Sequence, residues 1–210
     1  MSGAQDTSRA NRHLVACGMS GSGKTSFVRQ ELKRRRPSRL ILWDPDEDHT
    51  AHHFKSRAKF ARELAKAYRS GQPFRLALTI EASESNFEWW AGCVRELMDA
   101  RRPITAVAEE ISDVTRTGKA PPNWGTLARR GRKWGVDVIA TTQRPQEADK
   151  TIVTQAGTIW CGFLKRPEDR KAMASELDIP VSDLESLKAL EYYQRDVPEA
   201  AQRGRLTIRK

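Results

Sequence analysis

Short apolar runs alternate with longer amphipathic ones along this chain, which predicts an α/β fold with a mostly parallel central sheet and helices on both faces. Two features sharpen the expectation. A glycine-rich turn joins the first apolar run to the first amphipathic one, and a later apolar run ends in adjacent glutamates, Glu109 and Glu110.

Taken in order, residues 1–12 lack the apolar core of a secretory signal and read as a flexible N-terminal tail. Residues 13–210 read as a single domain, with no linker visible. Residues 13–17 form a first strand, and a helix runs from Lys24 to about Arg36, where Pro37 stops it. Residues 40–43 are a second strand, stopped by Asp44-Pro45. A helical pattern covers about 51–68, with Phe54, Ala58, Ala61, Leu64 and Ala65 on one face. After Gly71-Gln72-Pro73 come a strand over 74–80 and a helix over 85–100, with Phe87, Trp90, Val94, Leu97 and Met98 inward. Residues 104–108 form a strand, and 113–124 read as an exposed loop because of Gly118 and Pro121-Pro122. A basic helix over 126–134 closes at Gly135, and residues 136–141 are a buried strand. A strand over 158–164, a helix over 167–177 and a closing edge at Tyr192-Tyr193 and 206–208 complete the pattern.

Length and charge bound the function. The chain has 210 residues, 38% hydrophobic and 30% charged, with net charge +10. No apolar run approaches the eighteen or so residues of a membrane span, and nothing directs export, so the expected setting is the cytoplasm. The positive balance favours a polyanionic partner or, equally, a solvated basic surface. Cys17, Cys93 and Cys161 lack disulfide or metal spacing and read as reduced, mostly buried thiols. His49, His52 and His53 have no matching acid or cysteine set for a metal site.

Gly18-Met19-Ser20-Gly21-Ser22-Gly23-Lys24-Thr25 carries the strongest chemical signal. Glycines between a strand and a helix let backbone N–H groups converge on phosphate oxygens, and the helix N-terminus adds a favourable dipole. Gly18, Ser20, Gly21, Ser22, Gly23, Lys24, Thr25 and Ser26 are therefore expected to bind ATP. Lys24 would neutralise the β/γ-phosphates and the Thr25 hydroxyl would ligate Mg2+. The two glutamates divide the remaining roles: Glu109 serves the magnesium side, directly or through water, and Glu110 activates the attacking water. Gln143, at the exit of the strand ending in Thr141-Thr142, could hydrogen-bond the γ-phosphate or that water.

Together these segments resemble the FtsK/HerA superfamily of DNA-pumping ATPases, from Leu14 to about Leu164, and within it the small packaging ATPases of membrane-containing viruses. The P-loop, Glu109-Glu110-Ile111-Ser112-Asp113 and the run from Arg132 to Pro145, with its ATTQRP end, carry the likeness, and Asp44-Pro45 fits the pattern. The resemblance implies a RecA-like P-loop NTPase core whose glutamate strand lies apart from the P-loop strand, and a homo-oligomeric ring. It also implies Gln143 as a sensor and an arginine finger from the neighbouring subunit. Arg132 matches the finger position; Arg129, Arg130 and Arg144 are the other candidates, and these arginines could instead contact DNA phosphates. The implied function is ATP-driven translocation of double-stranded DNA, with a capsid vertex as a further candidate partner and virion association if the chain is viral. Arg116, Lys119 and the helix around Arg129 are candidate DNA contacts. The membrane segment and DNA-reading domain of FtsK-type translocases do not occur in this sequence. Two alternatives stay open: an ATP-gated DNA-binding or assembly protein, and a small-molecule kinase.

Overall fold

The computed structural model describes residues 3–208 and contains one nine-stranded sheet. In chain order its elements are β1 (Leu14–Cys17), α1 (Lys24–Arg35), β2 (Arg39–Trp43), β3 (His52–Phe54), α2 (Arg57–Ser70), β4 (Phe74–Leu78), α3 (Glu84–Glu96) and β5 (Ile104–Ala108). After it come α4 (Pro122–Arg130), β6 (Val136–Thr142), α5 (Thr151–Gln155), β7 (Thr158–Gly162), α6 (Pro167–Leu177), α7 (Val181–Glu185), β8 (Glu191–Asp196) and β9 (Gln202–Arg205). Strand order is β3-β4-β2-β5-β6-β1-β7-β8-β9, parallel through β7, with β8 and β9 added antiparallel. The strand carrying Glu109 and Glu110 at its end is thus separated from the P-loop strand by β6.

Strand alternation divides the core between two faces. Leu14 and Ala16 of β1 join Phe27, Val28 and Leu32 of α1 on one side, where Phe27 stacks on Trp160 at 4.9 Å. Val15 and Cys17 point to the other side, into a larger core with Phe60, Leu64, Phe87, Trp90 and Trp124 from α2, α3 and α4. Helices therefore cover both faces. Cys17 and Cys161 are fully buried, and burial pushes both thiols up.

Several local expectations change. The helix read over 51–68 is a short edge strand followed by α2, which starts at Arg57 behind its N-cap Ser56. The buried positions of α2 are Phe60 and Leu64, while Ala58 is exposed. Phe54 is buried as a strand residue, because β3 pairs with β4 and Phe54 packs edge-on against Phe60. The segment read as an exposed loop over 113–124 is partly packed: Val114, Thr115, Ala120, Pro121 and Trp124 are buried, while Asp113, 116–119 and Pro122 stay exposed. Trp124 donates to Asp149 at 3.1 Å, and Thr115 accepts from the Asp149 N–H at 3.0 Å. The basic helix begins earlier than read, at Pro122, and its last turn, Arg132–Trp134, is 3-10. The closing edge is β8 with β9, and Leu206 leaves the strand to pack behind the P-loop.

Residues 4–9, within the stretch set apart as a tail, lie against the body of the fold. Asp6 N–H donates to the Lys133 carbonyl at 2.7 Å, and Arg9 pairs with Asp137 at 2.8 Å. Among the described residues no helix is long and apolar enough to cross a membrane.

Candidate active site

The P-loop hangs between β1 and α1 at the C-terminal edge of the sheet. Gly18 N–H donates to the Thr142 carbonyl (3.1 Å) and Met19 N–H to the Phe163 carbonyl (2.9 Å), so β6 and β7 fix its path. Gly23 has φ 99°, a backbone conformation that favours glycine, and a Cβ there would press on Leu206 Cδ1 at 2.6 Å. At Gly21 (φ 79°) the space beside the backbone is open. α1 has no side-chain cap and no acid in its first turn, which leaves its N–H groups and dipole for an anion. The Ser22 hydroxyl is buried without a partner. These features fit a nucleotide's phosphates. A cleft of ≈ 540 Å³ adjoins the loop, lined by Ser26, Arg29, Gln30, Lys33, Thr207 and Ile208.

Across the loop, Lys24 Nζ lies 3.0 Å from Glu110 Oε1. Glu110 has φ 47°, a left-handed conformation that turns its carboxylate back toward the P-loop. Its Oε2 accepts from Gln143 N–H at 2.9 Å, and Gln143 Oε1 in turn accepts from Ser20 N–H at 3.2 Å. The loop, the acid and the amide thus form one connected network, drawn from β1, β5 and β6.

Glu109 is placed differently. It is buried, its Oε1 accepts from His49 Nε2 at 2.5 Å, and its Oε2 accepts from the Thr141 hydroxyl at 2.5 Å. Thr141 also receives the Glu110 N–H at 3.0 Å, so one hydroxyl positions both glutamates. Each carboxylate oxygen of Glu109 thus already accepts one hydrogen bond from the protein. His49 N–H donates to Asp44 Oδ2 at 3.0 Å, and burial raises the Asp44 carboxyl above its ordinary range. Nothing in local sequence marks His49 as the partner of Glu109, since 60 residues separate them. The three histidines do not converge: His53 bridges Thr79 and the His49 carbonyl, while His52 stacks on Phe54. Leu190 and Leu206, behind Gly23, had no sequence signal either.

The structure does not bring Arg132 to the site of its own subunit. Arg132 precedes β6, whereas Gln143 follows it, so a seven-residue strand, about 23 Å, lies between them. The Arg132 guanidinium donates to the carbonyls of Thr7 (3.0 Å) and Arg9. Arg129 and Arg130 end α4 at that same far edge. Arg144 lies at the nucleotide edge, where it pairs with Glu147 at 3.1 Å.

A glycine-rich loop between β1 and α1, faced by carboxylates from a strand one removed in a parallel sheet, defines a P-loop NTPase. The chain belongs to the family of Protein P9 of Pseudoalteromonas phage PM2, with which it is 35% identical over 209 residues, covering 97% of this chain and 94% of P9. No family model matches it. Its fold is similar to that of the genome packaging NTPase B204 of Sulfolobus turreted icosahedral virus 2 in complex with AMPPCP: TM-score 0.77 and 14% identity, covering 95% of this chain and 99% of that one. It is likewise similar to B204, the DNA-packaging ATPase of Sulfolobus turreted icosahedral virus, with TM-score 0.71 and 14% identity, covering 96% of this chain and all of that one, 100%.

Proposed function

We propose that this chain hydrolyses ATP to drive double-stranded DNA into a viral capsid, as one subunit of a homo-oligomeric ring. The observation that carries the catalytic part is the Lys24–Glu110–Gln143–Ser20 network, which joins the P-loop to an acid and an amide. The DNA and capsid parts draw on the motifs and on the fold shared with packaging ATPases.

ATP would lay its phosphates along the loop N–H groups and its adenosine toward the cleft beside Ser26. The γ-phosphate competes for Lys24 and draws it from Glu110. Glu110 Oε1, released, accepts a proton from the water that attacks the γ-phosphorus, and ADP leaves with Lys24 neutralising its charge. Gln143, which in this structure accepts from the Ser20 N–H, would turn its amide to the γ-phosphate and report its presence. Mg2+ would be held by Thr25, with Glu109 acting through water, and would supply charge neutralisation for the phosphates.

The test is steady-state phosphate release by the purified chain with and without double-stranded DNA, beside Lys24→Ala. Release that DNA stimulates and Lys24→Ala abolishes is expected. Release indifferent to DNA would leave an NTPase and sink the packaging claim. Transfer of the phosphoryl group to an added small acceptor would point to a kinase.

A further inference from the structure

We infer that double-stranded DNA is gripped by a belt of arginines at the N-terminal edge of the sheet, opposite the nucleotide. The parallel order makes the segments that lead into β2, β5, β6 and β1 four neighbours in space. Those segments, residues 33–38, 99–103, 129–135 and 9–13, are crowded with Arg and Lys, and Asp99 is their single acid. The loops that follow β2, β5 and β6 hold more acids (Asp44, Asp46, Glu47, Asp48, Glu109, Glu110, Asp113, Glu147 and Asp149) than cations (Arg116, Lys119, Arg144 and Lys150). The net charge of +10 is therefore polarised along the strands, with its positive pole away from the P-loop.

Contacts tie the segments before β1 and β2 to each other and to β6, while Arg101 pairs with Asp99 of its own segment at 3.0 Å. Arg35 Nη1 donates to the Arg12 carbonyl at 2.8 Å, and Arg9 (2.8 Å) and Arg12 (3.6 Å) converge on Asp137. Arg12 and Arg101 keep 48% and 70% of their side chains exposed, and Arg36 is exposed at the end of α1. The Nε–H groups of Arg9 and Arg39 are buried without a partner.

The partner follows from this chemistry. The outer two of the four strands stand about 14 Å apart. Over that length a duplex presents about eight phosphate charges. Guanidinium groups, which predominate here, match phosphate oxygens in a bidentate way that ammonium groups do not. The inference rests on the packaging reading for the existence of a DNA partner, and it moves the grip away from Arg116 and Lys119, which lie at the nucleotide edge.

The experiment measures binding of the full chain to a labelled random-sequence duplex across a salt series. It compares wild type, the belt variant Arg12→Gln/Arg36→Asn/Arg101→Gln and the loop variant Arg116→Gln/Lys119→Gln. Asparagine at position 36 tolerates the left-handed φ of 47° there. The belt variant should flatten the slope of log K against log salt by about 2.7, from three lost phosphate contacts, and weaken binding at least about tenfold at low salt. A slope change in the belt variant no larger than in the loop variant overturns the inference. If the belt variant does not fold, Arg36→Asn alone must lower the slope by about 0.9, and an unchanged slope overturns the inference equally. A wild-type chain with no affinity for duplex at any salt removes the packaging reading itself, a result distinct from a duplex held elsewhere.

Discussion

Lys24 Nζ and Glu110 Oε1 stand 3.0 Å apart, so the phosphate-binding lysine is paired with the proposed water-activating carboxylate. Each group would restrain the other until a γ-phosphate competes for the lysine. On the proposed reading catalysis would follow binding, because Glu110 would be freed only when Lys24 is engaged. Replacing Glu110 by Gln removes both the base and the competitor for Lys24. Turnover should fall by about 10²–10⁴, while ATP affinity, measured by fluorescent-nucleotide titration, should hold or rise. Turnover that persists in this variant would show that another group activates water.

Gln143 links Ser20 to Glu110 through its side-chain Oε1, which accepts from Ser20 N–H, and its backbone N–H, which donates to Glu110. In Gln143→Ala the backbone bond to Glu110 can remain while the side-chain bond is lost. We expect kcat to drop on the order of 10², in the range of one lost positioned donor, with KM nearly unchanged. A rise in KM at constant kcat would mark the amide as a binding group and not a sensor.

Thr141 serves Glu109 and the Glu110 backbone with one buried hydroxyl. Thr141→Val keeps the shape and strands both partners. The expected loss is about 1–3 kcal/mol, read as a Tm decrease of roughly 2–12 °C for a chain of this size. Thr141→Ser restores the hydroxyl and should melt close to wild type; a valine variant as stable as wild type would refute the role.

Arg132 and Arg144 divide by position. Arg132 binds carbonyls of residues 7 and 9, and Arg144 sits beside Gln143. Arg132→Ala should lower Tm with little effect on kcat of the folded protein, and Arg144→Ala should lower kcat. The reverse pattern would restore Arg132 as the group supplied across the subunit boundary.

His13 is buried with Nδ1 accepting the Val138 N–H at 3.0 Å and Nε2 without a partner. Burial lowers its pKa from 6.5 to about 4. Below pH 6.5 the unfolded chain takes up a proton that the folded one refuses, so this contribution to stability declines from pH 6.5 down to about 4. Between pH 7 and 5 the loss is about 2 kcal/mol, measurable by urea unfolding. In His13→Asn, which can still accept from Val138, the difference between the two pH values should shrink by that amount.

The P-loop was legible in sequence because its requirements are local. Gly23 must take a positive φ, and Lys24 must open a helix that follows a strand, all within eight residues. The order of strands around it was open to resemblance alone, and the helix read over 51–68 starts too early because a three-residue edge strand leaves no periodic signal.

What the sequence by itself determined is the α/β alternation, the phosphate loop, the paired glutamates and the surplus of cations, since each is written in neighbouring residues. What only the tertiary structure decided is which of those groups meet. Placing β6 between β5 and β1 brings Gln143 to both Ser20 and Glu110 and Thr141 to Glu109, while β2 on the other side of β5 brings His49 to Glu109. The same parallel order gathers the arginines at the far edge. Parallel strands send every preceding segment to one end of the sheet and every following segment to the other. Charges scattered along the chain are thereby sorted by the fold into a nucleotide edge and a basic edge.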